Sequence, residues 1–426
     1  MMLIERDIKR RILPWIDRDE VIVIVGSRQV GKTTLIKLLL DEISERQKVY
    51  FDLEDLNILS ICNQGPDAFV NYLRLLGYSI DKKIIVTLDE IQYLKDPSNF
   101  LKIIHDHYPF IKLIVSGSSS LDIRQKFKDS LAGRKIVFEL DTLNFSEFLR
   151  FKGGGVIRIK QGIGCITDIL EKRFDPSISL VGKDLALHLY EYLTFGGYPK
   201  PAQVDDIKLK LSILNEIYSS YVRKDIKDIA KIEDIFAFNN LLKLLSAQAG
   251  NMLNINEISG TLGINVVTIK KYLFLLENTF IILLLNPYFK NKRKEISKMP
   301  KVYFLDNGLR NTALSNFQLF ESRVDAGALF ENFVFSELKK RFKINEELFY
   351  WRTLAKAEVD FVLNVQNRIV PIEAKAIKMK SPTISRSFRN FINSYRPDVG
   401  IIVNMSLSGI IEYSGCKIYF VPAYGI

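Results

Sequence analysis

The chain has 426 residues, 47% of them hydrophobic and 26% charged, enough for two to four domains that each build a core. Its formal net charge of +11 suits a polyanionic partner, although a Lys-rich or thermophilic proteome carries the same bias. Cys62, Cys165 and Cys416 lie too far apart for a disulfide framework or zinc spacing, the start lacks an apolar signal core, and the longest apolar run, 280–285, cannot span a bilayer. A soluble cytoplasmic protein without a membrane partner is expected.

Residues 21–34 read V-I-V-I-V-G-S-R-Q-V-G-K-T-T. Five β-branched residues make a buried strand ending at Val25. The segment Gly26, Ser27, Arg28, Gln29, Val30, Gly31, Lys32 and Thr33 then fits G-x-x-x-x-G-K-[ST], with Thr34 next. Such a loop turns its N–H groups toward phosphate oxygens, and its glycines allow close approach. Lys32 is expected to reach the β- and γ-phosphates of ATP, and the Thr33 hydroxyl to ligate Mg²⁺. A helix opening at Lys32 adds its positive end. The alternative is a chance match, which the strand before and the apolar helix after argue against.

Further strands are expected at 49–53, 84–88 and 112–116. The strand at 84–88 ends in Asp89-Glu90, an acidic pair beyond a buried strand. Asp89 is expected to hold the Mg²⁺ shell, and Glu90 to orient and deprotonate the attacking water. Two acids capping a turn are the plainer reading. Ser116 and Ser118 are candidates to touch the γ-phosphate or the water, and a simple turn competes there. Strands alternating with helices imply a parallel sheet with its ligand at the carboxyl edge.

Here the sequence resembles the AAA+ ATPases of the archaeal and bacterial group with a D-E-I-Q box, which is Asp89-Glu90-Ile91-Gln92 in this chain. The resemblance continues in Ser130-Leu131-Ala132-Gly133-Arg134, in the F-x-E-F-L helix from Phe145 to Leu149, and in Gly196-Gly197-Tyr198-Pro199. It implies an arginine finger at Arg134, acting in cis or on a neighbouring subunit of a homo-oligomer; a surface or salt-bridged arginine is the alternative. A second sensor arginine has only Arg223 as a weak candidate.

Gly153-Gly154-Gly155 marks a loop, helices follow at 184–193 and across 209–245, and His105 and His107 do not share a helix face, so they read as surface residues. A short helix at 257–262, a turn at Gly263-Ile264-Asn265 and a longer helix at 267–280 make a helix-turn-helix. Wing strands are expected at 281–287 and 301–305. DNA contact falls to Lys270 and Lys271 on the second helix, and to Lys290, Lys292, Arg293 and Lys294 in the wing loop, with Lys298 beyond them. Solvated lysines on an inward-packed module are the alternative.

The last hundred residues bring an amphipathic helix at 328–340 carrying Glu331, then strands at 358–363 and 369–375 joined by Gln366-Asn367. Symmetry about that turn sets Asp360 opposite Glu373, and alternation puts Glu373 and Lys375 on one face. Opposed carboxylates repel, which a divalent cation relieves. From about residue 326 onward the pattern resembles the restriction-endonuclease-like fold, with Glu331, Asp360, Glu373 and Lys375 filling its signature. The resemblance implies Mg²⁺ or Mn²⁺ on Asp360 and Glu373, with Lys375 and Glu331 in catalysis. An inactive docking domain with salt-bridged residues is the competing reading.

The expected fold class is α/β: a P-loop AAA+ core at 1–152 with a parallel sheet, a helical lid at 153–245, a winged-helix domain at 246–315 and a restriction-endonuclease-like α/β domain at 316–426. The expected function is an ATP-hydrolysing, DNA-binding protein with metal-dependent nuclease activity. The alternative is a nucleotide-dependent switch whose last domain docks protein.

Overall fold

A computed structural model describes residues 5–43, 47–79, 81–118, 131, 133–153, 166–171, 183–221, 234–289 and 299–426. The chain forms two compact units, Met1–Thr142 with Asn278–Phe280, and Leu143–Glu277 with Ile281–Ile426. The first unit therefore ends ten residues before the 1–152 boundary expected from sequence.

In the first unit, β1 (Val21–Val25) lies between β4 (Ile111–Gly117) and β5 (Lys135–Glu139), in the order β2-β3-β4-β1-β5. β2 is Gln47–Asp52 and β3 is Ile84–Asp89. Every pairing is parallel. All five residues of β1 are buried, as an uninterrupted β-branched run requires of a central strand. The helices of this unit include α1 (Lys9–Ile12), α2 (Lys32–Glu42), α3 (Leu56–Asn63), α4 (Pro66–Leu75) and α5 (Pro97–His107). Helix α5 starts at Pro97 under an Asp96 cap, whose carboxylate accepts the Asn99 N–H at 3.2 Å.

The second unit opens on α6 (Phe145–Lys152), whose capping box joins Asn144 and Glu147. Then come α7 (Ile166–Leu170), α8 (Lys183–Phe195), α9 (Pro199–Ala202), α10 (Ile207–Ser220) and α11 (Ile235–Ala247). The Gly196-Gly197 turn between α8 and α9 donates the Gly197 N–H to Asp306 at 2.7 Å. Two helices, α12 (Ile255–Leu262) and α13 (Val266–Asn278), flank the Gly263-Ile264-Asn265 turn. Ile269, Tyr272, Leu273 and Leu276 of α13 are buried, as their spacing requires. The two short strands after it, β6 (Ile282–Leu285) and β7 (Lys301–Phe304), pair antiparallel. Helix α14 (Asn307–Leu314) leads to α15 (Ala326–Lys339).

After α15 the chain builds a mixed sheet in the order β12-β13-β11-β10-β9-β8. β8 (Leu348–Arg352), β9 (Glu358–Val365) and β10 (Arg368–Lys375) form an antiparallel meander. Gln366 and Asn367 turn it with positive φ at both positions, the geometry a two-residue hairpin prefers. Helix α16 (Arg386–Tyr395) crosses to β11 (Val399–Asn404), which runs parallel to β10. β12 (Gly409–Tyr413) and β13 (Cys416–Pro422) complete the sheet. Trp351, Phe388, Phe391, Ile402 and Phe420 form part of the core beneath it. Among the described residues no helix is long and apolar enough to cross a membrane.

Candidate functional site

Three strand ends bring the first constellation together. β1 runs into the 26–31 loop, β3 ends at Asp89 and β4 ends at Gly117, all at the carboxyl edge of the sheet. Gly26 leaves β1 against the chain beyond β5, and a Cβ there would stand 2.3 Å from the Leu140 carbonyl oxygen. Gly31 caps α2 at φ 96°, a backbone conformation that disfavours a side chain. Lys32 is buried, and its Nζ donates to the carbonyls of Gly26 and Ser27 at 3.0 Å each. The lysine thus lies back along the inside of the loop. Ser27 and Val30 are buried, Arg28 is half-buried, and Gln29 and Thr34 face outward.

Asp89 is the hub. Its Oδ2 accepts the hydroxyls of Thr33 and Tyr50 at 2.6 Å each, and its Oδ1 accepts the Ser116 hydroxyl and the Glu90 N–H. Burial, and then the Asp89 bond, raise the Tyr50 phenol well above its ordinary range, so it stays a donor. Glu90 has φ 55° and ψ 48°, a strained conformation for a residue with a Cβ. Its carboxylate accepts the Gln92 amide, which also donates to Ser118 Oγ at 3.1 Å. Ser116 is therefore a buried partner of Asp89, and Ser118 a partner of Gln92. The Thr33 hydroxyl on the Asp89 carboxylate, Lys32 inside the glycine loop and Glu90 beside them thus stand at one sheet edge, a donor set of the chemistry that phosphate and Mg²⁺ require.

Two contributors carry no motif. Tyr50 is one, on β2. Arg6 is the other: its guanidinium donates to the Val30 carbonyl at 2.9 Å and the Asp141 carbonyl at 2.7 Å, tying the loop to the chain beyond β5. The box residue Gln92 was visible in the sequence, but nothing there showed its partners.

Arg134 is not near its own loop. Its carbonyl accepts the Val21 N–H at 2.8 Å, at the amino end of β1, and its Nε pairs with Asp106 at 2.8 Å. Five strand residues at about 3.3 Å each separate the two sheet edges. Arg223, Lys290, Lys292, Arg293, Lys294 and Lys298 lie outside the described residues, as do Cys165, Ser130 and Ala132. Lys270 and Lys271 are exposed on α13.

The acids of the last hundred residues are close together but already engaged. The β9–β10 pairing runs in the expected register as far as Phe361 opposite Ile372. The next rung opens, and Asp360 Oδ2 accepts the Ala374 N–H at 2.8 Å. Desolvation, and then the charges of Glu331 and Glu373, push the Asp360 carboxyl above the usual range, against the pull of Lys301 and that N–H. Glu373 accepts Lys375 Nζ at 2.7 Å and Ser385 Oγ at 3.2 Å. Glu331 accepts Tyr303 at 2.6 Å and Lys301 Nζ at 3.1 Å. Lys301 Nζ is also 2.5 Å from Glu358, which pairs in turn with Arg352 at 2.6 Å. Among the described residues no three His, Cys, Asp or Glu side chains are disposed to hold a metal. The sequence pattern found Glu331, Asp360, Glu373 and Lys375 but missed Lys301, Tyr303 and Glu358.

Comparison with known proteins bears on these sites. Residues 18–149 match the AAA domain, and 186–319 and 326–424 match two domains of unknown function, DUF8612 and DUF4143. An uncharacterized protein of Methanocaldococcus jannaschii is 29% identical over 372 residues, covering 86% of this chain and 76% of the relative. An uncharacterized protein of Haemophilus influenzae is 25% identical over 382 residues, covering 87% and 86%. Among solved structures, the Walker-type ATPase of Pyrococcus abyssi is similar at 14% identity and a TM-score of 0.47, over 73% of this chain and 95% of that one. The domain match and the loop geometry agree: residues 18–149 match an AAA domain and carry the P-loop.

Proposed function

We propose that the chain is a cytoplasmic ATP-hydrolysing AAA protein that works on DNA as a homo-oligomer. The carrying observation is the meeting of Lys32, Thr33, Asp89 and Glu90 at one sheet edge. The N–H groups of residues 26 to 34 cradle the phosphates, and Lys32 swings from the loop carbonyls to the β- and γ-phosphates. Thr33 and Asp89 would hold Mg²⁺, which would supply positive charge near the phosphoryl oxygens. Glu90 takes the proton of the attacking water as the new P–O bond forms, the β–γ bridge breaks and ADP leaves. Gln92 and Ser118 hold the Glu90 carboxylate, and Ser116 with Tyr50 holds Asp89. Arg134, remote from its own loop, serves the γ-phosphate of a neighbouring subunit. Lys270 and Lys271, with the cationic 290–294 segment, contact DNA phosphates in a winged-helix arrangement. Lys32→Ala tests the core of this reading. The folded variant should bind no ATP by calorimetry and hydrolyse none; retained turnover overturns the reading.

The C-terminal domain has two readings. A nuclease is supported by the order helix, three-stranded meander, helix, parallel strand, and by the hairpin register. It assigns Mg²⁺ or Mn²⁺ to Asp360 and Glu373, and catalysis to Lys375 and Glu331. A nucleotide-dependent switch with a docking domain is supported by the ion pairs that already engage Glu331 and Glu373. Metal-dependent nicking that Glu373→Ala abolishes would favour the first; its absence in the wild type would favour the second.

A further inference from the structure

β7 delivers a lysine into the acid set of the C-terminal sheet. Lys301 is 1% exposed, and its ammonium sits between Glu331 of α15 and Glu358 of β9. The Tyr350 ring faces it at 5.5 Å from nitrogen to ring centroid. The lysine cannot retreat to water. Val302, Tyr303 and Phe304 beside it are fully buried, and the Tyr303 ring stacks on Phe335 with centroids 4.2 Å apart. Tyr303 adds its hydroxyl to the same Glu331 oxygen that receives the ammonium.

A buried carboxylate cluster needs positive charge, and either a metal or a side chain can provide it. Here the chain provides it. Glu331 and Glu358 share Lys301, Glu358 also takes Arg352, and Glu373 takes Lys375. A divalent ion needs free carboxylate oxygens and room for its waters. At Asp360 and Glu373 it would meet the Ala374 N–H on one Asp360 oxygen and the Lys375 ammonium and Ser385 hydroxyl on the two Glu373 oxygens, with the Lys301 ammonium fixed on neighbouring Glu331, so the residues do not fit the ion that the nuclease reading requires. We propose that Lys301 is the built-in counter-ion of this acid set, and that the C-terminal domain takes no divalent metal there. The proposal bears only on the C-terminal domain and is independent of ATP hydrolysis.

The test uses the full chain in the Lys32→Ala background without nucleotide, so that the P-loop contributes no metal. Mn²⁺ titration followed by electron paramagnetic resonance should show no stoichiometric site, with Glu373→Gln and Asp360→Asn indistinguishable from the parent. One Mn²⁺ per chain that either substitution removes overturns the proposal. Lys301→Ala, if folded by circular dichroism, should gain a Mn²⁺ site at least about tenfold tighter than anything in the parent, lost again with Asp360→Asn. A folded Lys301→Ala protein without such a gain also overturns it. Should that variant not fold, Lys301→Arg replaces it: the retained charge should keep Mn²⁺ out, and a stoichiometric Mn²⁺ site that Asp360→Asn removes would sink the idea.

Discussion

The hydroxyls of Tyr50 and Thr33 converge on one oxygen of Asp89, each at 2.6 Å. One comes from β2 and the other from the first turn of α2, so the carboxylate is fixed from both sides before any ion arrives. Removing one of the two donors should loosen the metal position without emptying the core, since Tyr50 keeps its ring in the Phe variant. Tyr50→Phe should raise the Mg²⁺ concentration for half-maximal ATP hydrolysis several-fold while ATP affinity in excess Mg²⁺ stays close to wild type. An unchanged Mg²⁺ curve would remove Tyr50 from the site.

Arg134 pairs with Asp106 at the sheet edge opposite the P-loop. A finger arginine is worth about 10³–10⁵ in rate where it acts. Arg134→Ala should therefore hydrolyse ATP poorly yet bind it normally. Mixed with Lys32→Ala subunits it should recover part of the activity, because each mutant lacks what the other keeps. No recovery at any mixing ratio would refute action between subunits.

Lys270 and Lys271 stand exposed on the second helix of the helix-turn-helix. If both neutralise DNA phosphates, changing both to Ala should lower the slope of log K against log salt by about 2. A duplex affinity that does not vary between low and moderate salt, in either protein, would move the function toward the switch reading.

Asp325 receives Arg310 at 2.9 Å and Arg323 at 2.8 Å. Burial raises its carboxyl, but the two guanidiniums outweigh that and bring it down to about 2 from an ordinary 3.8. A folded-state value below the unfolded one means that the stabilisation is present above about pH 4 and lost as pH falls through 2. The pH-linked part is about 1 kcal/mol once solvent screening of the partly exposed carboxylate is allowed for. Melting temperature should thus fall between pH 4 and pH 2 in the wild type and less so in Asp325→Asn. Parallel pH profiles for the two proteins would contradict the pairing.

The candidate nucleotide site was legible because its parts are short and local. A buried strand, a glycine loop and a helix start occupy fourteen consecutive residues, and the acidic pair ends a second apolar strand. The hairpin turn at Gln366-Asn367 was legible for the same reason. Tyr50 and Arg6 were not, because they act through long-range bonds that no spacing encodes. The acids near the end were found as a pattern, but their partners were not. Lys301 reads as a strand lysine in the sequence, and only the packing of β7 turns it inward. The far position of Arg134 follows from strand order, which the sequence implies only in outline.

Strand β7 also bears on how the chain can be dissected. A fragment beginning near residue 316 would keep the acids and discard the lysine that neutralises them. It would also lose the Tyr288 N–H that donates to the Tyr350 carbonyl at 2.6 Å. Expressed by itself, such a piece should be acid-loving and prone to aggregate near neutral pH, whereas one starting upstream of Lys301 should not. The two stretches of unknown function are joined by the ion pairs from Lys301 to Glu331 and Glu358, so replacing that lysine should disturb both.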